Sequence, residues 1–195
     1  PHLLVFADRN RVEREETFEI SSAARDRFMM EVTIDAPQDD GQRRALAFEP
    51  RFHDADALID SLAAGLVDHA QLNALGAAIQ RGIAASPALE RYALALWRAT
   101  AEPAAVGLRL PEWPDVAVDQ LVLAGASPRG ISMLLRAARV AAWLDGREHV
   151  RPHDVQAVFR ETIAHRLVLQ PVYELRRHEL IGPLVDGILA RVAAP

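Results

Sequence analysis

The sequence predicts a mainly α-helical fold that follows a short α/β segment. From residue 37 onward, apolar residues recur at spacings of three and four, which is the period of one helix face. Two Ser-Pro pairs, at 86–87 and 127–128, each place a helix N-cap before a proline in the first turn. Before residue 37, two apolar runs are rich in residues that favour β-strands. We therefore expect an α/β fragment over 1–36 and a helical domain over 37–195.

The α/β fragment contains two candidate strands, Leu3–Ala7 and Met29–Ile34. The first is a continuous apolar run, typical of a strand that is buried on both faces. Between them, Ser21 or Ser22 can cap a short helix. Because two strands alone form only a marginal sheet, we expect them to pair with strands on another segment or another molecule, or to be poorly ordered.

The helical domain is interrupted by one long loop, Ala101–Val118, which is rich in Pro and has room for a short strand over Val106–Leu110. The predicted helices span Gln38–Phe48, His53–Leu66 and Asp68–Arg81, then begin at Ser86, Ser127 and near Pro152, and end with one over His178–Val192.

The composition excludes several functional classes. All 22 basic residues are Arg, and the sequence contains neither Lys nor Cys. It therefore has no P-loop, Schiff-base or kinase-type lysine, no disulfide and no cysteine nucleophile. The net charge of −5 does not provide the basic footprint of a nucleic-acid-binding protein. No apolar run reaches the ~18 residues that a membrane-spanning helix needs.

Arg129 is the most informative residue, because its predicted position is electrostatically unfavourable. With Ser127 as N-cap, Arg129 lies in the first turn of a helix, beside the positive end of the macrodipole. A cation there costs up to about 1 kcal/mol. A bound anion would reverse that cost, since the free N–H groups and the guanidinium would converge on it. The alternative is a side chain that extends to solvent or to a nearby carboxylate.

Other polar residues give weaker signals. Asn10 follows the first candidate strand, where open α/β sheets collect ligands, although turns use Asn for local reasons as often. Arg27 ends the short helix, where the helix dipole favours a cation without any ligand. His149 and His153 have HxxxH spacing, but a helix start separates them, and we expect no metal site. His165 is expected to pack or hydrogen-bond at a helix end.

Taken together, these segments resemble the MoxR family of AAA+ ATPases. Residues 6–13 (FADRNRVE) look like the sensor-1 stretch of that family, and 26–28 (DRF) are similar to its LDRF motif. Residues 125–129 match the sensor-2 motif GASPR and are followed by LLRAAR at 134–139. The remaining matches, in family order, are SP…Y…RAT over 86–100, DGR at 145–147, DV at 154–155 and HRL at 165–167.

The resemblance implies an all-helical AAA+ lid domain over 37–195, preceded by a two-strand remnant of an α/β P-loop core over 1–36. Asn10 would be the sensor-1 residue that orients the attacking water. Arg27 would be the arginine finger that reaches the nucleotide of a neighbouring subunit in a ring. Arg129 would be the sensor-2 arginine that contacts phosphates from the lid.

The implied cofactors are ATP and Mg²⁺ in the intact protein, with a P-loop and Walker B residues expected upstream of Pro1. Without them, this chain should neither bind ATP tightly nor hydrolyse it.

The leading functional hypothesis is the sensing and lid segment of a cytoplasmic ATPase that drives chaperone-like remodelling or assembly of partner complexes. The resemblance implies copies of itself as partners in a ring. It also implies von Willebrand factor A domain proteins or client enzymes as partners. From the net charge and the absence of a long apolar run we expect neither nucleic acid nor membrane as a partner. The alternative is a non-catalytic helical adaptor derived from an AAA+ lid. A helical DNA-binding protein is disfavoured by the net charge of −5.

Overall fold

The computed structural model describes residues 5–8, 20–63, 65 and 68–195. Within them the fold is mainly α-helical, which confirms the predicted fold class. The chain divides into two compact units: Val32–Leu75 is one, and Pro1–Glu31 with Gly76–Pro195 forms the other. The division after residue 36 stays a prediction. Among the described residues, no helix combines the length and apolar character needed to span a bilayer.

Helices account for most of the regular structure in the described residues. The α-helices are α1 (Ser22–Arg25), α2 (Asp40–Phe48), α3 (Ala55–Asp60), α4 (Leu72–Gly82), α5 (Pro87–Ala101), α6 (Pro128–Leu144), α7 (Pro152–Ile163), α8 (Pro171–Glu174) and α9 (Arg177–Arg191). Short 3₁₀ turns lie at Pro50–Phe52, His69–Gln71, Pro103–Val106, Val118–Gln120 and Ala164–Arg166.

The hydrophobic core of the larger unit lies among α5, α6, α7 and α9. Helix α6 packs along α7, and α9 packs against both α5 and α7. The largest fully buried side chains are Phe159, Leu89, Leu96, Leu121, Leu134, Ile163, Leu167, Leu169, Leu180, Leu184, Ile188 and Val155.

Both strands that the described residues form lie inside the helical domain. Strand β1 (Val122–Ala124) pairs antiparallel with β2 (Val168–Leu169), with Val122 opposite Leu169. The described residues of the first predicted strand, from Val5 onward, have no regular secondary structure. Leu3 and Leu4 lie outside the described residues.

The strand prediction for Met29–Ile34 is wrong. This segment is irregular, and Val32 and Ile34 are 65% and 92% exposed. Its Glu31 N–H donates at 2.9 Å to the carbonyl of Glu161 in α7, so no ladder of strand hydrogen bonds forms. Residues that favour strands do not form one without a neighbouring strand.

The short strand predicted over Val106–Leu110 is also wrong. The chain forms the 3₁₀ turn Pro103–Val106 there and then passes through Gly107 at φ 71°. A left-handed residue interrupts the extended backbone that a strand requires.

The predicted Ser-Pro helix starts are confirmed for α5 and α6. Ser86 Oγ accepts a hydrogen bond from the N–H of Leu89 at 3.1 Å. Ser127 Oγ accepts from the N–H of Gly130 at 3.4 Å. Each cap satisfies an amide that the first turn leaves unpaired. The start of α6, which carries Arg129, is therefore fixed by local chemistry.

Helices in and beside Val32–Leu75 are shorter than the sequence predicts. The helix predicted over His53–Leu66 is limited to α3, and Gly65 adopts φ 76°, which an α-helix cannot contain. The helix predicted over Asp68–Arg81 begins as α-helix only at Leu72. No residue of α2 or α3 is buried, so these helices lack the tertiary packing that supports longer ones.

Arg166 ties the segment after α1 to the C-terminal end of α7. Its side chain is fully buried. Its Nη atoms donate to the backbone carbonyls of Asp26 at 3.3 Å and of Met29 at 3.3 Å, and also to those of Phe28 and Thr162. Because a buried guanidinium without acceptors would be strongly unfavourable, these bonds hold residues 26–29 in place.

His165 supports the same attachment and lies, as predicted, packed at a helix end. Its Nε2 lies 2.6 Å from Arg166 Nη1 and 3.3 Å from the carbonyl oxygen of Phe28. A guanidinium only donates, so Nε2 acts as acceptor toward Arg166 and the ring is neutral. Burial lowers the pKa of His165 below its ordinary value, and the positive charge of Arg166 lowers it further.

We predict that Leu134→Ala lowers the free energy of unfolding by about 2–5 kcal/mol, because Leu134 is 0% exposed and its truncation leaves a cavity. Leu175→Ala is the matched control, since Leu175 is 88% exposed and its truncation should change stability by less than about 0.5 kcal/mol. Urea unfolding followed by circular dichroism measures both. Equal effects of the two substitutions would contradict the core described above.

We also predict that the free energy of unfolding falls as the pH is lowered through about 6.5, the ordinary pKa of histidine. In the unfolded chain His165 takes up a proton near that pH, whereas burial delays protonation in the folded chain to a lower pH. Protonation therefore favours unfolding. Urea unfolding between about pH 8 and pH 5 should show a smaller loss for His165→Gln than for wild type. His149→Gln, which alters an exposed histidine, is the control. An unchanged slope for His165→Gln would refute the prediction.

Candidate site at the start of helix α6

Arg129 lies in the first turn of α6 and contacts a carboxylate of the same chain. Its Nη1 donates to Oδ2 of Asp26 at 2.8 Å. The Arg129 side chain is 48% exposed and that of Asp26 is 21% exposed. An ion pair this open to water is worth about 0.2–1 kcal/mol. The sequence leaves two possibilities for Arg129, a bound anion or a nearby carboxylate, and the structure shows a nearby carboxylate, that of Asp26.

Two further groups converge on the Asp26 carboxylate. Ser127 Oγ donates to its Oδ1 at 2.7 Å, in addition to capping α6. Arg166 Nε lies 3.3 Å from the same oxygen. One carboxylate is therefore shared by the N-terminal turn of α6 and the arginine that follows α7. An anion at this place is favourable both to the helix dipole and to the two guanidinium groups.

Both charged neighbours act on Arg166. Burial lowers the pKa of Arg166 below its ordinary value. The negative charge of Asp26 opposes that shift, and the positive charge of Arg129 adds to it. Asp26 therefore reduces the repulsion between two arginines that lie at the same helix start.

Gly125, which begins the GASPR segment, and Gly130, which follows it, each let another part of the chain lie very close to their backbone. A Cβ on Gly125 would lie 2.7 Å from the backbone nitrogen of Ala101 in α5. A Cβ on Gly130 would lie 2.9 Å from Cδ of Arg166. Contacts that short are not tolerated, so Gly130 leaves the space through which Arg166 reaches Asp26.

Ala126, the residue after Gly125, is anchored to α5. The carbonyl of Ala126 accepts from Trp97 Nε1 at 2.6 Å, and its N–H donates to Thr100 Oγ1 at 3.0 Å. Thr100 is fully buried. Both amide groups of Ala126 are thus paired to side chains of one helix, which fixes where α6 begins relative to α5.

Arg27, the predicted finger, is exposed and follows Asp26 directly in the chain. The carbonyls on either side of it, of Asp26 and Phe28, accept hydrogen bonds from Arg166. The structure therefore brings the segment of Arg27 to the start of α6, with Arg129 joined to it through Asp26. Asn10 lies outside the described residues.

Asp26 and Arg166 are the site residues that sequence reasoning missed. Each lies in a segment that carries the family resemblance, 26–28 and 165–167. Their side chains meet across 140 positions of sequence, and no local pattern predicts such a contact.

The described residues suit phosphate better than a metal ion. Arg27 and Arg129 are exposed cations of the kind that bind phosphate oxygens. Within the part of the chain that the structure describes, no three His, Asp or Glu residues come together as metal ligands. These residues therefore fit a nucleotide's phosphates, and they offer no carboxylate cluster for Mg²⁺.

Comparisons with known proteins identify the domain that contains α6 and Arg166. The AAA lid domain family matches residues 115–181, which include α6, α7 and both strands. The crystal structure of a "putative ATPase" from Cytophaga hutchinsonii superimposes with a TM-score of 0.72 at 25% identity, over 95% of this chain and 52% of that one.

Curated relatives match the chain over nearly its whole length. Protein MoxR from Methylorubrum extorquens is 51% identical over 195 residues, which are 100% of this chain and 56% of the relative. Protein MoxR from Paracoccus denitrificans is 52% identical over 100% of this chain and 57% of its own length. Chaperone MoxR1 from Mycobacterium tuberculosis is 28% identical over 98% of this chain and 47% of its own length.

The chain spans about half the length of the curated relatives it matches. Its mainly helical fold, its lid domain and these identities agree with the C-terminal portion of the proteins that the sequence motifs resemble. The chain is similar to MoxR proteins over its whole length and contains an AAA lid domain.

Proposed function

We propose that this chain supplies the nucleotide-sensing arginines and the helical lid of a MoxR-type AAA+ ATPase, whose ATP hydrolysis drives chaperone-like remodelling or assembly of partner complexes. One observation carries the proposal. Arg129 lies half-exposed at the positive end of α6, with its guanidinium on an anion. A helix start that already stabilises a carboxylate is suited to the oxygen atoms of a phosphate.

The proposed roles follow from the family resemblance, and the exposure and charge of the two arginines support theirs. Arg129 contacts phosphates of the nucleotide bound beside its own lid, and Arg27 reaches the nucleotide of the neighbouring subunit. Asn10 orients the attacking water. Arginines in these roles act by positioning and by stabilising developing negative charge. ATP supplies the transferred phosphoryl group, with Mg²⁺ held by residues outside the set described here.

The wider proposal concerns assembly and partners. The full-length protein acts as a ring of identical subunits, because a finger that serves a neighbouring site requires that neighbour. We place this ring in the cytoplasm. Its partners are von Willebrand factor A domain proteins or client enzymes, and neither nucleic acid nor membrane. Within each subunit, 1–36 ends the α/β core and 37–195 forms the lid.

One observation favours a second candidate, a non-catalytic helical adaptor. Arg129 has an internal partner in Asp26 and therefore needs no nucleotide to be satisfied. The sequence that precedes Pro1 in the gene distinguishes the two candidates. A GxxxxGK[ST] motif there supports the ATPase, whereas a start codon close to Pro1 supports the adaptor.

We predict that Arg129→Ala in the full-length protein lowers ATP hydrolysis by about 10- to 100-fold, the effect of losing one charge-assisted contact to a phosphate. A steady-state phosphate-release assay measures it. Arg176→Ala is the matched control, because it removes another arginine that pairs with an aspartate, Asp115, at the surface. If Arg129→Ala hydrolyses ATP as fast as the control, Arg129 has no sensing role.

We predict that Arg27→Ala lowers ATP hydrolysis by about 10³-fold and acts across subunits. Mixing Arg27→Ala with Arg129→Ala subunits should therefore restore activity several-fold above the mean of the two separate variants. In such a ring an Arg27→Ala subunit keeps its own Arg129 and receives a finger from its Arg129→Ala neighbour. Mixing Arg27→Ala with Arg27→Ala,Arg129→Ala subunits is the control and should restore nothing. An Arg27→Ala and Arg129→Ala mixture no more active than the mean of the two would show that Arg27 does not act in trans.

A further inference from the structure

We propose that Asp26 is a positioning residue that couples Arg129 to the segment carrying Arg27, and that a nucleotide phosphate exchanges with its carboxylate on Arg129. The inference rests on the proposed function. It adds a residue that the sequence does not single out. It also couples nucleotide binding in one subunit to the arginine finger that this subunit supplies to its neighbour.

The first step is that the anion position at the start of α6 is filled by the chain itself. Asp26 receives Arg129 at 2.8 Å and Ser127 Oγ at 2.7 Å, and it lies 3.3 Å from Nε of Arg166. A phosphate approaching the same turn would need the same guanidinium. A guanidinium has donors for two acceptors, but a phosphate beside the carboxylate of Asp26 would be repelled by its like charge, so binding of one weakens the other.

The second step is that the contacts of Asp26 differ in how easily they exchange. Arg129 is 48% exposed, so water and competing anions reach it and its pair with Asp26 is weak. Arg166 is fully buried and also holds backbone carbonyls of the same segment. A phosphate therefore takes Arg129 away, while Arg166 and Ser127 stay with Asp26.

The third step is that Asp26 and Arg27 are consecutive residues. The amides of Asp26, Arg27 and Phe28 donate to the carbonyls of Ser22, Ala24 and Arg25 in and beside α1. The side chain of Asp26 is the described link from this turn to Arg129 on α6. Loss of that link removes one of the three side-chain partners of Asp26 while Ser127 and Arg166 remain. The turn stays attached but is held less tightly, and the exposed Arg27 is then positioned differently for a neighbouring subunit.

The test is Asp26→Asn in the full-length protein, with the affinity for ATP and Mg²⁺ measured by calorimetry. The amide keeps the shape of the side chain and removes its charge. Without the competing carboxylate, ATP should bind about two- to fivefold more tightly, the value of an exposed ion pair. Asp115→Asn, which removes the carboxylate paired with Arg176, should leave the affinity unchanged. Unchanged or weaker ATP binding by Asp26→Asn would overturn the proposal.

The same substitution made in the Arg129→Ala protein shows whether the change in ATP affinity acts through Arg129. In the Arg129→Ala protein, Asp26→Asn should bring no further gain in affinity. An equal gain in both backgrounds would overturn the link through Arg129. The kinetic constants give an independent readout. Asp26→Asn should lower KM because ATP binding improves, and it should lower kcat because the neutral amide holds Arg166, and with it the segment of Arg27, less firmly. A lower KM with an unchanged kcat would overturn the effect on Arg27.

Hydrogen exchange on the wild-type protein tests the same idea without any substitution. Saturating ATP should speed exchange of the amides of Asp26, Arg27 and Phe28, and equal or slower exchange would overturn the proposed loosening.

The experiments distinguish a failure of the proposed sensing role from a failure of the coupling through Asp26. Full activity of Arg129→Ala removes the sensing role itself. An inactive Arg129→Ala combined with unaltered ATP affinity in Asp26→Asn removes only the coupling.

Discussion

The arrangement around the start of α6 depends on one carboxylate placed between two arginines. Without Asp26, Arg129 and the buried Arg166 would bring like charges to the same helix start, beside the positive end of its dipole. With Asp26, the repulsion is reduced, the N-cap at Ser127 gains an acceptor, and residues 26–29 are drawn to the end of α7. The packed core of α5, α6, α7 and α9 holds both arginines within reach of the Asp26 carboxylate.

The cluster formed by Asp26, Arg129 and Arg166 has a buried part, which attaches the segment after α1, and an exposed part, which can exchange its partner. Arg166 is surrounded by backbone carbonyls, and breaking that set would leave a charge without acceptors inside the protein. Arg129 contacts the same carboxylate from the solvent side, where exchange with another anion is inexpensive. A stable attachment and an exchangeable contact on one side chain are the elements that a nucleotide-dependent switch requires.

How much the sequence could predict depends on the range of each interaction. The starts of α5 and α6 were predictable because Ser86 and Ser127 bond to amides three residues away. The strand expected over Met29–Ile34 was not, because apolar composition forms a strand only beside another strand, and the sheet lies at β1 and β2. The cluster itself joins residues up to 140 positions apart. Its arginines were visible in the motifs, but the carboxylate between them was not.

A crystal structure of the full-length protein with a non-hydrolysable ATP analogue and Mg²⁺ would show whether Arg129 exchanges Asp26 for a phosphate when nucleotide binds. We expect the Arg129 guanidinium to lie about 2.7–2.9 Å from a phosphate oxygen and to have left the carboxylate of Asp26. A structure with nucleotide bound and the 2.8 Å contact between Arg129 and Asp26 intact would contradict this exchange.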